Sequence, residues 1–543
     1  MDGMQDSSFK EKPPANAWLA MVIRAEGGLD SPGGSATSSR PASHASPMRN
    51  LSSASGGLYV SAPGKIILFG EHAVVYGRTA IAGSIDLRTY VSLFTSADGR
   101  IYLSLPDLGV EKTWMLKDLI RAGERLAAEY PIEEDQAPSL EVLVPIARKL
   151  SGSCEDQCGV QHLAILAFWY LLLGVVHRKR DLLAVKCTVR FKLPSCVGLG
   201  SSGAYCVCIA TALLQTAGLI PPPSIPTDDE GSLTWEEKDL DTIRKWATSA
   251  ESLIHGRASG LDAAVCTYGG VASYKPGTRI EHLKNLPELR VILVNSKVER
   301  NTSRMVQTVK ERLKKFPSVV EGIFTSIDAI SIEAAKILHR PEENGEGGPS
   351  ENGGCSEHDH HSLQANVPSI KMRWLSNDGG LSSDGDHHSL QPTRGGSVRS
   401  TSLASYVAGG KRGSSASAIS AASDKGELID TFTKLNDLCR INNQLLIGLG
   451  VGHPKVDQIC TTLARYGIHP KMTGAGGGGS VFAFLKPDTP QTLLDMISSE
   501  LTKLGYEVWQ PPLGGPGVVE HTRKPDLFQI TSNMLSTPTP KHK

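Results

Sequence analysis

The sequence is poor in the features that would assign it to several large classes. Its 543 residues hold 10 cysteines, and the close pairs Cys154/Cys158 and Cys206/Cys208 lack the two-residue gap of a zinc knuckle. That argues against a disulfide or zinc scaffold and for free thiols in a reducing compartment. No charge of one sign predominates, since 56 Lys+Arg balance 56 Asp+Glu. A general nucleic-acid binder needs a basic excess, so no nucleic-acid partner is expected. Long hydrophobic runs are also missing. The longest, Leu163 to Val176, spans 14 residues, whereas about 20 are needed to cross a bilayer. It predicts a buried helix and no membrane partner. The opening MDGMQD has neither the basic stretch nor the apolar core of a secretion signal. The cytoplasm is the expected location, with no clear peroxisomal signal.

Glycine, by contrast, is abundant: 55 residues, about 10% against a usual ~7%. Part of the excess lies in two blocks too polar to bury a core, both expected to be disordered. The first is an N-terminal extension, 1–56. The second, 341–425, holds 13 Gly and 17 Ser and repeats Asp359-His-His-Ser-Leu-Gln364 as Asp386-His-His-Ser-Leu-Gln391. It is read as an expanded surface loop. Its basic-directed serines (Ser397, Ser402, Ser414) are the kind of match that a serine-rich block produces by chance.

The remainder is long enough for two domains. Tyr59–Ala62 and Lys65–Phe69 read as strands broken by Pro63-Gly64, and Thr89–Thr95, Val185–Phe191, Val291–Asn295 and Val481–Leu485 as further strands. Ala204–Ala217, Ser303–Lys315 and Leu428–Leu449 carry helical signals. Strands and helices mix without a strict βαβ repeat, which favours an α+β fold.

The other glycines gather in loops. Pro194-Ser-Cys-Val-Gly198-Leu-Gly200-Ser201-Ser202-Gly203 lies between a strand and a helix. Closely spaced glycines let backbone N–H groups approach phosphate oxygens, and the helix N-terminus adds partial positive charge. Ser201 and Ser202 can cap that helix or offer a hydroxyl to phosphate-bound Mg²⁺. The dinucleotide-binding fingerprint also matches, but no acidic residue follows at the required distance, and no Walker A loop occurs. Thr473-Gly474-Ala475-Gly476-Gly477-Gly-Gly479-Ser480 spends five glycines in the six positions 474–479, an entropic cost best explained by backbone pressed against a ligand. Ser61-Ala-Pro-Gly-Lys65 followed by Gly70-Glu71-His72 brings a lysine, a carboxylate and an imidazole close together. Glu251-Ser-Leu-Ile-His255-Gly-Arg-Ala-Ser-Gly260-Leu-Asp262 offers two carboxylates, one able to bind a hard cation and one able to act as a base.

Taken together, residues 61–77, 198–203, 259–262, 300–302 and 471–480 resemble the GHMP kinase superfamily over about 58–520. The resemblance implies an N-terminal domain of the ribosomal protein S5 domain 2 type (57–285). It also implies a ferredoxin-like C-terminal domain (286–533) interrupted by 341–425. It further implies Mg²⁺- and ATP-dependent phosphorylation of the 5-hydroxyl of (R)-mevalonate. Asp262 would be the base and Lys65 its charge partner. Val197, Gly198, Leu199, Gly200, Ser201 and Ser202 would wrap the ATP phosphates, with Asp107 on the adenine side. Ser202 and Glu251 would hold Mg²⁺; Glu71, His72 and Thr302 would line the acceptor side; Gly474–Gly477 would form the third motif. A homodimer and inhibition by prenyl diphosphates are implied likewise. Phosphomevalonate or homoserine phosphorylation, and a non-catalytic regulator, are the competing readings. Two residues depart from the family pattern. Cys196 stands where glycine is usual, and Gly203 where alanine is usual, which would return backbone freedom to the loop.

Overall fold

The computed structural model describes residues 57–339 and 416–528, apart from 133–135, 153–158, 180–182, 195–196, 228–230, 257 and 300. The N-terminal extension, the repeated His tracts, the basic-directed serines, Cys154, Cys158 and Cys196 therefore lie outside the described residues. Helix Ala416–Gly448 includes residues 416–425, which the sequence reading assigned to the second glycine-serine block. The described residues up to 339 and from 422 onward form one compact unit.

The first long strand, β1 (Leu58–Phe69), pairs antiparallel with β2 (Ala80–Ser96) along nearly its whole length. The predicted break at Pro63-Gly64 is instead a shift in register within one continuous strand. A bulge tolerates proline because one backbone group drops out of the ladder there. Beyond β2 come β3 (Arg100–Leu105), β4 (Val110–Met115) and β5 (Ala184–Phe191). The β3–β5 pairing is parallel, and every other ladder among the described residues is antiparallel. This agrees with the α+β expectation.

Helix α1 (Val160–Arg178) contains the 14-residue apolar run, and Ala164 through Val176 are all buried. It is the one described helix long and apolar enough to cross a membrane. Helix α2 (Ser201–Thr216) is buried from Gly203 to its end. It packs against α3 (Glu237–His255), the short α4 (Leu261–Tyr268) and β1. The later half contributes α5 (Thr302–Lys315), α6 (Pro317–Leu338) and α7 (Ala416–Gly448), together with strands β6 (Leu289–Asn295) and β7 (Ser480–Leu485).

Two hydrophobic cores share one wall. In β6, Val291 and Leu293 face the larger core while Ile292 and Val294 face the smaller. In β7, Phe482 and Phe484 go one way and Val481, Ala483 and Leu485 the other. Successive strand side chains point to opposite faces, so a strand buried on both must be apolar throughout. The runs Val-Ile-Leu-Val and Val-Phe-Ala-Phe-Leu satisfy that requirement. Through β6 and β7 the sheet continues by way of strand Pro512–Leu513 to β2 and β1, and so ties the two cores to the strand that carries Lys65.

Candidate active site

The site is assembled around β1. At its bulge, a side chain on Gly64 would fall 2.8 Å from the Leu199 carbonyl and 2.7 Å from Leu193 Cδ1. Glycine therefore lets the 197–200 loop lie directly on the strand, and the Lys65 N–H donates to Leu199 O at 2.8 Å. The Lys65 side chain is 6% exposed, and its Nζ lies 2.7 Å from Asp262 Oδ1. Asp262 is in the first turn of α4 behind the left-handed Gly260, and its side chain keeps 28% exposure. The pair thus joins a nearly buried cation to a carboxylate that still reaches the solvent side.

The loop itself turns through positive φ at Gly198 and Gly200, and Gly200 is the N-cap of α2. No side chain caps the helix, so the capping role expected of Ser201 and Ser202 is not taken up. The first-turn N–H groups of α2 lack intrahelical acceptors and carry the positive end of the helix dipole, the arrangement that favours an anion. Val197 and Leu199 hold the loop in place from both sides: Val197 O accepts from Ser480 Oγ at 3.2 Å, and Leu199 O from Lys65.

Ser202 instead points at α3. Its hydroxyl donates to Glu251 Oε1 at 3.3 Å and lies 2.9 Å from His255 Nε2. Glu251 is 3% exposed. Burial and then the nearby Asp262 charge push its carboxyl up to about 8, against the pull of Lys65 and of hydrogen bonds from Ser202 and the Ala263 backbone. A hydroxyl and a carboxylate converging on one point are hard oxygen donors of the kind Mg²⁺ takes alongside substrate phosphates and water. Among the described residues no group of three or more His, Cys, Asp or Glu side chains is placed to hold a metal by itself. A bound cation would also relieve the charge conflict at Glu251. The residues therefore fit the ion that the sequence assigned to them.

Gly203 corrects a sequence expectation. It is helical and not at positive φ, so no extra backbone freedom is used there. A Cβ at this position would come 3.2 Å from Asp262 Cβ and 3.4 Å from Cys266 Sγ. The glycine makes room beneath the carboxylate.

The third glycine segment closes the other side. Gly474, Gly476, Gly477, Gly478 and Gly479 all have positive φ. Side chains at 476, 477 and 478 would strike Val451 O at 2.5 Å, Met305 Sδ at 2.5 Å and Val298 Cγ1 at 2.6 Å. The molecule's own neighbours thus already require these glycines, which the sequence reading had explained by a ligand. Thr473 Oγ1 donates to Ile67 O at 2.8 Å and accepts from Ile67 N at 3.1 Å. The Ala475 carbonyl lies 2.8 Å from His72 Nε2. Thr302 opens α5 and is exposed, one turn before the Met305 that touches the glycine segment.

Two of the sequence-selected residues are engaged internally. Glu71 is 1% exposed, with one oxygen on Lys471 Nζ and the other accepting from Asn442 Nδ2 at 3.4 Å. Asp107 Oδ2 accepts from Phe191 N at 2.9 Å and Arg190 Nε at 3.1 Å. It anchors the end of β5, where the chain departs for the phosphate loop. The sequence reading gave no role to His255, Lys471 or Asn442. His255 could have been found, since it stands four residues after Glu251 on one helix face. The pairing of Lys471 with Glu71, across 400 positions, left no local signal.

Comparison with known proteins agrees with this geometry. Residues 167–270 match the family model for the GHMP kinases N terminal domain, and 427–503 that for the GHMP kinases C terminal. The mouse mevalonate kinase is 34% identical over 467 residues, covering 86% of this chain and 95% of that protein. The human mevalonate kinase is also 34% identical, over 465 residues, with the same coverage. The Methanococcus jannaschii mevalonate kinase structure superposes with a TM-score of 0.52 at 19% identity, covering 84% of this chain and 98% of that one, a likeness of fold. With its phosphate loop, lysine–aspartate pair and third glycine segment gathered on one strand, the chain belongs to the mevalonate kinase family of the GHMP kinases.

Proposed function

We propose that the protein transfers the γ-phosphoryl group of ATP to the 5-hydroxyl of (R)-mevalonate, forming 5-phosphomevalonate and ADP. The observation that carries the reading is the Lys65–Asp262 pair, 2.7 Å apart, beside the uncapped N-terminus of α2. Phosphoryl transfer asks a protein mainly to align donor and acceptor and to offset charge on the phosphate oxygens. Asp262 accepts the proton of the attacking hydroxyl, and Lys65 orients that carboxylate while facing the moving phosphoryl group. The N–H groups of residues 201–203 hold the phosphate chain. Ser202 and Glu251 would hold Mg²⁺, which when bound supplies charge neutralisation to the phosphates. His72 and Thr302 bound the acceptor side, and Asp107 fixes the strand end on the adenine side.

The test is ADP release by the purified protein with mevalonate, phosphomevalonate or homoserine, with and without Mg²⁺. Mevalonate- and Mg²⁺-dependent release is expected. Release with either other acceptor in its place would overturn the substrate assignment. Family resemblance also supports a homodimer inhibited by prenyl diphosphates competing with ATP, readable by sedimentation and inhibition kinetics.

A further inference from the structure

We propose that Lys471 and Glu71, braced by Asn442, form a buried strut that positions His72 and the 474–479 turn against the acceptor. These are positioning residues that do not themselves touch substrate. The inference rests on the kinase reading above.

The two charged side chains are both 0% exposed. Lys471 Nζ also donates to the Met472 carbonyl at 2.8 Å, and lies 5.2 Å from the Phe482 ring and 5.7 Å from that of Phe69. Asn442 donates to Glu71, while its own Oδ1 is buried with no hydrogen-bond partner. Asn443, next on α7, accepts from Met472 N at 3.1 Å. Burying an ion pair costs several kcal/mol per charge, and an apolar pair of similar volume is often as stable or more so. Stability alone is therefore a weak reason for this pair, and what it holds is the better one.

Glu71 directly precedes His72, a non-glycine residue at φ 60, ψ −47. Such backbone strain persists only where the surroundings over-determine it. Here the strut fixes the residue before His72, and Ala475 O receives its ring. At the other end, Lys471 lies two residues before Thr473, which is tied to Ile67 of β1, and the glycine turn follows at once. One ion pair thus couples the approach to His72 with the approach to the turn, and references both to the strand bearing Lys65.

The experiment compares wild type, Glu71→Gln, Lys471→Met and the double variant by thermal melting and by separate KM values for ATP and mevalonate. Each single change strands a buried partner and should lower Tm strongly. The double change removes both charges and should recover most of that Tm. Its mevalonate KM should still rise about tenfold or more, while ATP KM shifts less than about threefold, because misplacement of an acceptor contact is costly even when small. Asn442→Ala removes only a long hydrogen bond; it serves as the milder variant should the double one not fold, with mevalonate KM expected to rise several-fold. Wild-type mevalonate KM in a folded variant would overturn the strut. An inactive wild type would instead overturn the kinase reading.

Discussion

Asp262 illustrates how little of a catalytic role lies in the residue itself. It becomes a candidate base because α4 aims it at Lys65 and because Gly203 leaves room for it. Replacing Asp262 with Asn, or Lys65 with Met, should each lower kcat by about 10²-fold or more, the usual scale for a general base, with ATP binding largely kept. Near wild-type kcat in Asp262→Asn would remove the base assignment. Glu251 carries a different signature. Its carboxyl is raised to about 8 in the fold from an ordinary 4.5, so the folded chain keeps a proton that the unfolded chain releases. Stability from this group is complete below about pH 4.5 and is lost as pH rises toward 8. In melts without Mg²⁺, Tm should fall across that window, and Glu251→Gln should flatten the fall; an unchanged slope would contradict the shift. The sequence singled out Lys65, Glu251 and Asp262 because their types suit the chemistry. It could not show that Glu71 is buried against Lys471, since burial is set by what packs over a residue.

At the scale of elements, β1 is the spine. Its bulge was misread as a break because Pro-Gly signals a turn locally, whereas eleven cross-strand partners on β2 outweigh that preference. Arg88 of β2 fastens the late chain to this spine. The buried guanidinium donates to Ser61 Oγ at 2.7 Å, Ser61 O at 3.1 Å, Gly517 O at 2.6 Å and Pro516 O at 3.2 Å. Arg88→Met should cost about 3 kcal/mol by leaving buried acceptors unmet, measured by denaturant unfolding. Little change in kcat of the folded protein is expected, and a loss below about 1 kcal/mol would show that water replaces the bonds. In the third glycine segment, Gly476→Ala meets both positive φ and a carbonyl at 2.5 Å. It should lower Tm and, by shifting Ala475 O away from His72, raise mevalonate KM. Helices α1, α2, α5 and α7 were legible from apolar runs and period, whereas α3, α4 and α6 were not singled out, and α7 starts at Ala416, well before the apolar signal begins at Leu428. Its Ala/Ser-rich first turns resemble a linker in composition.

Over the whole molecule, the contacts that fix the end of α6 lie in the larger core, where Ile330, Ala334 and Leu338 join Phe432, Leu435 and Cys439 of α7. Excising residues 341–425, the whole second glycine-serine block, and joining α6 to the remainder of α7 by a short flexible linker should therefore leave kcat and both KM values unchanged. Loss of folding would show that the excised segment has a structural role.

The sequence by itself determined the inventory: several of the strands and helices, which loops are glycine-rich, and which lysine and carboxylates suit phosphoryl transfer. These follow from local pattern, because side-chain periodicity and backbone freedom are properties of neighbouring residues. Only the tertiary structure decided the partnerships. It gave Ser202 to Glu251 and His255, Gly203 to Asp262, and Glu71 to Lys471. Each joins elements far apart in the chain, and local pattern carries no record of which distant elements the shared core will pack together.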